Sequence, residues 1–263
     1  MLLISALVFF SSFFFTLASL PLLITRLRKR GLLGIDMNKY SKPKVPELGG
    51  ISLVLGFSFG AMLAIFLHTY LHLIRLNLTV LLAAFSTIII IAFIGLVDDL
   101  IGWKQGIKQW QHALLPLFAA LPLMAVKIDN PAMHIPFIGS LPETIFLPIF
   151  GGISFGIIYS LLLVPIGITG ASNATNMLAG LNGLEAGLIS LILATLAAAS
   201  FVANEMEAFI VALALLGAFI AFLRFNWYPA RIFGGDTLTL MGGAGIASVV
   251  IICLLYTSPS PRD

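Results

Sequence analysis

Residues 80–99 read VLLAAFSTIIIIAFIGLVDD, a run of eighteen uncharged residues that ends in two adjacent aspartates. A helix of about 20 apolar residues is long enough to cross the hydrocarbon core of a bilayer. A carboxylate inside that core is costly, so the pair Asp98-Asp99 places the end of this span at the membrane surface. The stretch therefore predicts a membrane-spanning helix that ends in a polar pair suited to take part in chemistry.

The composition of the whole chain agrees with a membrane protein. Of its 263 residues, 60% are hydrophobic and 10% are charged, whereas soluble domains carry roughly 45–50% apolar and about 25% charged residues. This excludes an ordinary soluble enzyme and a disordered chain. The net charge of +3 is typical of basic cytoplasmic loops, so we expect no nucleic-acid partner. The single cysteine, Cys253, excludes an intramolecular disulfide and a cysteine-rich metal site.

Eight apolar segments of this kind predict an all-α, polytopic transmembrane helix bundle. We expect one integral membrane domain over residues 1–252. The eight predicted spans are Leu2–Ile24, Gly49–Leu67, Val80–Val97, His112–Val126, Ile145–Ile168, Ala186–Val202, Ala208–Phe222 and Leu238–Leu255.

The positive charges fix an orientation for these spans. Eleven of the fourteen lysines and arginines fall in alternate loops, whereas the opposite loops carry only Arg75 and Lys127. Cytoplasmic loops are enriched in Lys and Arg, so the N-terminus is predicted to lie outside. The loops predicted to be cytoplasmic are Thr25–Leu48, Asp98–Gln111, Thr169–Glu185 and Leu223–Thr237.

The polar motifs all fall in these four loops. Asp98-Asp99 fits either a solvated helix cap or a site for Mg²⁺ or proton transfer, since Mg²⁺ prefers one or two carboxylates plus phosphate oxygens. Residues 170–187 contain Asn173 and Asn176, which share one face of a helical turn. A plain Gly/Asn loop is the alternative there.

Two further motifs complete the set. Asp236 follows Gly234-Gly235 and opens an apolar span, so it is either a helix cap or a metal-binding carboxylate. Trp227-Tyr228 fits an interfacial anchor. Glu47 starts the second span and is expected to face the same pocket, whereas the basic run 26–30 fits contact with anionic lipid headgroups.

With these motifs the sequence resembles the polyprenyl-phosphate N-acetylhexosamine-1-phosphate transferase superfamily, of the glycosyltransferase family 4 type. The resemblance runs from about Gly34 to Ile252 and favours the archaeal and eukaryotic branch that acts on dolichyl phosphate. It rests on Asp36–Lys39, Lys42–Glu47, Asp98-Asp99 with Lys108, Asn173–Gly187 and Phe225–Thr237.

The resemblance implies transfer of N-acetylglucosamine-1-phosphate, or a related sugar phosphate, from a UDP-sugar to a polyprenyl phosphate, with release of UMP. By resemblance, Asn176 and Asp236 bind Mg²⁺, with Mn²⁺ as the alternative ion. Lys108 neutralises phosphate charge, and Asp98 and Asp99 line the position of the attacking phosphate. The implied substrate-binding residues are Glu47, Asn173, Gly180, Asn182, Gly183 and Phe233, of which Asn182 and Phe233 contact the uracil and Gly180 and Gly183 shape the nucleotide pocket.

The chain departs from the bacterial members that transfer a muramoyl-pentapeptide phosphate. Those members carry acidic residues where this chain has Ala179 and Asn182, which favours the dolichol-type branch. The expected partners are a UDP-sugar, a polyprenyl or dolichyl phosphate and the bilayer, and a homodimer is left open. We expect an active site on the cytoplasmic face, in the plasma membrane of an archaeon or the endoplasmic reticulum of a eukaryote.

The end of the chain differs in character from the rest. Residues 253–263 shift to a polar, Ser- and Pro-containing stretch, which we interpret as a non-native tail. The resembling family continues through about two more spans, so eight of about ten are expected here. A secondary transporter and a non-catalytic membrane protein are the alternatives. The charges lie at one face rather than at mid-membrane, which favours the transferase.

Overall fold

The structure is a computed structural model that describes residues 2–101, 109–126, 134–135, 139–140, 144–147 and 151–256. Lys108 and residues 257–263 lie outside the described residues, so the structure does not bear on the predictions made for them. The helices are α1 (Leu2–Arg30), α2 (Gly50–Thr69), α3 (Leu78–Ile101), α4 (Gln109–Ala119), α5 (Leu121–Met124), α6 (Phe155–Ile158), α7 (Val164–Met177), α8 (Leu184–Val202), α9 (Met206–Asn226) and α10 (Asp236–Tyr256), with a π-helical turn Tyr159–Leu163 between α6 and α7.

Short strands form three two-stranded antiparallel ribbons beside the helices. They are β1 (Leu33–Ile35), β2 (Lys44–Pro46), β3 (His134–Ile135), β4 (Gly139–Ser140), β5 (Thr144–Leu147) and β6 (Gly151–Ser154), paired in that order.

Seven helical stretches among the described residues are long and apolar enough to span a membrane. They are α1, α2, α3, the continuous stretch Phe155–Met177, α8, α9 and α10. The predicted all-α membrane bundle is therefore confirmed. The helices α9 and α10 form the centre of the bundle. In their most apolar 18-residue segments, 72% and 78% of the residues are buried, against 28% in that of α1.

Two predicted spans differ from the helices observed. The segment His112–Val126 lies on the short helices α4 and α5, which carry prolines at positions 116 and 122 that interrupt backbone hydrogen bonding. The predicted start of the fifth span, Ile145–Ile168, is wrong. Residues 144–147 and 151–154 form the β5–β6 ribbon, and the helix runs instead from Phe155 to Met177. Gly151 and Gly152 are poor helix formers, which agrees with a strand rather than a helix at the start of this segment.

The ends of the helices alternate between the two faces of the bundle. Asp99 at the end of α3 and Asn176 at the end of α7 both contact Asp236 at the start of α10. Because α3 and α7 end at the same face, the chain must cross the bundle once between them, and α4–α5 is the described helical segment in that interval. The loops after α3 and α7 therefore lie on one face, as predicted, even though the fourth span is shorter than expected.

Glycines bring the three helices that carry acidic and amide groups into close contact. A Cβ on Gly95 of α3 would lie 2.6 Å from the Asp236 carbonyl oxygen, and one on Gly243 of α10 would lie 2.3 Å from the Ala171 carbonyl oxygen of α7. No larger side chain fits at either crossing. This contact sets the ends of α3 and α7 beside the first turn of α10.

Candidate active site

The first turn of α10 is held by a carboxylate from another helix. Asp99 accepts hydrogen bonds from the backbone N–H of Asp236 at 2.7 Å, from the backbone N–H of Thr237 at 3.0 Å and from the Thr237 hydroxyl at 2.6 Å. The first N–H groups of a helix have no partner within that helix, and a carboxylate is well suited to satisfy them. Asp99 thus caps α10 across the bundle.

The backbone just before α10 is shaped to admit this cap. Gly235 has a φ of +72°, a region that side chains other than glycine rarely adopt. A Cβ at this position would lie 2.5 Å from both carboxylate oxygens of Asp99. The approach of Asp99 therefore explains Gly235, whereas Gly234 leaves room for the side chain of Leu238.

Asp236 itself faces an amide rather than capping its own helix. Asn176 donates from Nδ2 to Asp236 Oδ1 at 2.7 Å and to Thr239 Oγ1 at 2.9 Å. Joint coordination of a cation by this pair requires the amide to turn over, so that its acceptor oxygen replaces the NH₂ group on the side of Asp236. The pair that the sequence singled out for metal binding is thus in direct contact.

A further carboxylate lies close to this pair. The side chain of Asp98 is within hydrogen-bonding reach of Asp236 and is only 6% exposed. Carboxylates that share a partly buried position repel each other, and a cation or proton relieves that repulsion.

The donor set fits Mg²⁺. Among the described residues, no group of three or more His, Cys, Asp or Glu is arranged to hold a metal. Asp236, Asn176 and Asp98 instead offer one or two carboxylates and an amide oxygen. Mg²⁺ uses such an incomplete protein shell when substrate phosphates supply further oxygens.

A cavity of about 440 Å³ opens beside this acidic end. Its volume is within the range of roughly 300–1,000 Å³ of small-molecule sites. The residues that line it come from four stretches of chain: Ile35–Asn38 with Glu47, Ala179–Asn182 with Glu185, Phe233–Asp236, and Thr239.

Backbone hydrogen bonds join two of these stretches into one wall. Phe233 donates its N–H to the Pro46 carbonyl at 2.8 Å, and Gly49 donates its N–H to the Phe233 carbonyl at 2.8 Å. Gly50 donates in the same manner to Gly234 at 2.9 Å. Phe233 is thereby fixed next to Glu47, and both line the cavity.

The loop between α7 and α8 is held by a fully buried asparagine. Asn226 accepts from the Gly183 N–H through Oδ1 at 2.9 Å and donates from Nδ2 to the Ile232 carbonyl at 2.9 Å. Gly180 and Gly183 have φ values of +141° and +79°, which favour glycine at both positions. Sequence reasoning did not single out Asn226, although a lone amide between Phe225 and Trp227 was a usable signal.

A buried acid, Asp36, also lines the cavity. It pairs with Lys39 at 2.9 Å and accepts from Asn182 Nδ2 at 3.2 Å. The hydrogen bond and charge of Lys39 lower the pKa of the Asp36 carboxyl, and Asn182 adds to the effect. The ammonium of Lys39 lies 4.8 Å from the centroid of the Tyr228 ring. The sequence placed Asp36 in a motif without assigning it a role.

The structure brings most of the predicted site residues together. Asp236 lies both at the acidic end and on the cavity, beside the carboxylates of Asp98 and Asp99. Asn173 is not among the residues that line the cavity, and its amide donates to the Thr169 carbonyl of its own helix at 2.9 Å. Gly183 is buried behind the cavity wall. The predicted site residues that line the cavity are Glu47, Gly180, Asn182, Phe233 and Asp236.

Comparisons with known proteins identify the family and several relatives of the chain. The sequence profile of glycosyl transferase family 4 matches residues 81–254. A relative from Saccharolobus solfataricus is 34% identical over 94% of this chain and 70% of its own length. One from Sulfolobus acidocaldarius is 36% identical over the same shares. Both are provisionally named UDP-N-acetylglucosamine–dolichyl-phosphate N-acetylglucosaminephosphotransferases. A protein with that name from Dictyostelium discoideum is 29% identical over 84% of this chain and 60% of its own length.

Proposed function

The chain belongs to glycosyl transferase family 4, and on that premise we propose that it transfers N-acetylglucosamine-1-phosphate from UDP-N-acetylglucosamine to dolichyl phosphate or a related polyprenyl phosphate. The observation that carries the proposal is the contact between Asn176 and Asp236, a residue that lines a nucleotide-sized cavity. The names of the relatives support this donor and acceptor.

The cavity provides the site for the uridine part of the donor. Phe233 offers an aromatic face, and Asn182 offers an amide that can hydrogen-bond a base edge. Gly180 leaves room for close approach of backbone to ligand. The diphosphate then extends from this wall towards Asp236, which lines the same cavity.

The acidic end would bind Mg²⁺, which would supply positive charge for the diphosphate. Asp236 and, with its amide turned over, the oxygen of Asn176 would hold the ion, with Asp98 beside them. When bound, Mg²⁺ offsets the negative charge on the attacking and leaving oxygens of the transfer. Lys108, which follows the aspartate pair in sequence, neutralises further phosphate charge.

The transfer forms one phosphorus–oxygen bond and breaks another. An oxygen of the lipid phosphate attacks the phosphorus that carries the sugar, and the bond from that phosphorus to the bridging oxygen breaks, so UMP leaves with the electron pair. The second pKa of a phosphate monoester is about 6, so the nucleophile is largely ionised at neutral pH. Asp98 therefore orients the lipid phosphate more than it removes a proton.

The charge distribution supports a site on the cytoplasmic face. The helix ends that meet at the cavity adjoin the loops that contain eleven of the fourteen lysines and arginines. Such enrichment is typical of cytoplasmic loops. The lipid phosphate reaches such a site from the membrane surface without crossing the bilayer. We extend the proposal to this orientation, to Mn²⁺ as a substitute ion and to assembly as a homodimer.

The test is UMP release by the purified protein. The protein in detergent or nanodiscs receives UDP-N-acetylglucosamine with dolichyl or undecaprenyl phosphate, with Mg²⁺, with Mn²⁺ or with EDTA. We expect UMP only when the donor, a lipid phosphate and a divalent ion are all present. A secondary transporter releases no UMP, so uptake of labelled donor into vesicles without UMP would refute the transferase proposal.

A further inference from the structure

Three chain segments meet at the carboxylate of Asp36. Its own segment is the β1–β2 ribbon, from which Asn38 also donates to the Gly180 carbonyl. The second segment brings Asn182, which donates to Asp36 Oδ2 at 3.2 Å. The third brings Tyr228, whose ring faces the ammonium of Lys39. Asp36 itself is only 3% exposed, whereas Asn38 and Tyr228 at the edge of this cluster are exposed.

The chemistry of a carboxylate decides which end of the Asn182 amide faces it. An ionised carboxylate only accepts hydrogen bonds, so the NH₂ group of Asn182 must point to Asp36. The amide oxygen is then turned to the other side of a side chain that lines the cavity. Lys39 keeps Asp36 in this accepting form, because its hydrogen bond and charge lower the pKa of the carboxyl.

We propose that Asp36 is a positioning residue for base selection: it holds the Asn182 amide so that an acceptor oxygen, and not a donor, faces the base of the bound nucleotide. The inference rests on the proposed function, since it takes the cavity to be the nucleotide site. It gives Asp36, which also lines the cavity, a role that acts through Asn182.

A fixed acceptor favours uracil over cytosine. Uracil carries an N–H donor at position 3, whereas cytosine carries a lone pair at that position. An oxygen held towards position 3 therefore attracts uracil and repels cytosine, and a buried site rejects the base that leaves its polar group unpaired. If the amide were free to turn over, its NH₂ group would donate to the lone pair at position 3 of cytosine, and cytosine would bind about as well.

The experiment measures binding of UMP and CMP to the purified full-length chain. The variants are Asp36→Ala, Asn182→Ala, the double variant, and Lys44→Gln as a control on the exposed side of the same ribbon. Asp36→Asn is the conservative variant, which keeps the size of the side chain and guards against loss of folding. The melting temperature of each variant is recorded alongside.

We expect the wild-type chain to prefer UMP, and Asp36→Ala to lower that preference about tenfold, the equivalent of one hydrogen bond. Asp36→Asn should lower it less, and Lys44→Gln should leave it unchanged. The double variant should select no worse than Asn182→Ala alone, because Asp36 acts through Asn182. In the transfer assay, Asp36→Ala should raise KM for the UDP-sugar and leave kcat and the KM for lipid near wild type.

The outcomes separate this inference from the proposed function. Wild-type protein that releases UMP, with base preference unchanged in Asp36→Ala and Asp36→Asn, would overturn the positioning role alone. Additive losses in the double variant would do the same. Wild-type protein that binds neither nucleotide and releases no UMP would overturn the proposed function and this inference together.

Discussion

Replacing the adjacent aspartates Asp98 and Asp99 one at a time by asparagine should give two different kinds of defect. Asp99 receives three hydrogen bonds from the first turn of α10, two of them at Oδ2. Asparagine keeps one acceptor oxygen and places an NH₂ group where the other stood. At least one donor of Thr237 or Asp236 then faces another donor inside the bundle.

The expected cost follows from these contacts. A hydrogen bond to a charged group contributes about 1.5–3 kcal/mol, and loss of a helix cap typically costs about 0.5–2 kcal/mol. We therefore expect Asp99→Asn to lower the free energy of unfolding by about 3 kcal/mol. For a chain of this size that corresponds to a fall in Tm of roughly 6–12 °C. Asp98→Asn leaves the cap of α10 intact, so its Tm should fall by less than about 3 °C.

The assay combines thermal unfolding in detergent, followed by tryptophan fluorescence, with UMP release well below the lower Tm. Asp98→Asn should keep its stability and lose most of its activity, whereas Asp99→Asn should lose stability first. Equal falls in Tm for the two variants would refute the assignment of Asp99 as the cap. So would an Asp99→Asn variant as stable as wild type.

Three further predictions concern the ion, the base and the helix crossing. Asp236→Ala should reduce UMP release by orders of magnitude, where each factor of ten corresponds to about 1.4 kcal/mol. The control Glu205→Gln, in the turn at the other end of α8, should not reduce it, and near-normal turnover of Asp236→Ala would count against Asn176 and Asp236 as the metal pair. Phe233→Ala should raise KM for the UDP-sugar with little change in the KM for lipid phosphate, since contacts remote from the reacting phosphorus act as uniform binding; equal changes for both substrates would argue against a place beside the base. Gly95→Ala should destabilise the bundle and lower activity, because its Cβ would lie 2.6 Å from the Asp236 carbonyl oxygen, whereas Gly167→Ala meets nothing within 4 Å and should be neutral; similar Tm values for the two would contradict the close crossing.

The sequence predicted the helices wherever a long apolar run is bounded by charge. The span that ends at Asp98 is such a run, and the structure places its end at the site. The interval between α3 and α7 was harder, because prolines and glycines there interrupt apolar segments that hydropathy alone reads as spans. Composition carries little information about whether such a segment becomes a short helix or a ribbon.

That the site residues lie together was predictable from the order of the spans. Alternate loops fall on the same face, and loops on one face of a small bundle must lie near one another. The individual partners were not predictable. That Asp99 caps α10, and that Asp36 faces Asn182, depends on pairings between residues 137 and 146 positions apart in the chain. Such pairings are decided by tertiary packing, which a single sequence does not report.

The buried amide of Asn226 has a consequence for how this region can vary among related proteins. One side chain serves as acceptor for the loop at Gly183 and as donor for the loop at Ile232. Aspartate could replace only the first function, and an apolar residue could replace neither. Both partners are backbone groups, which nearly any residue at 183 or 232 supplies, so no side-chain change at those positions can replace the amide. An alignment of relatives should therefore keep Asn at position 226 even where the residue at 232 varies.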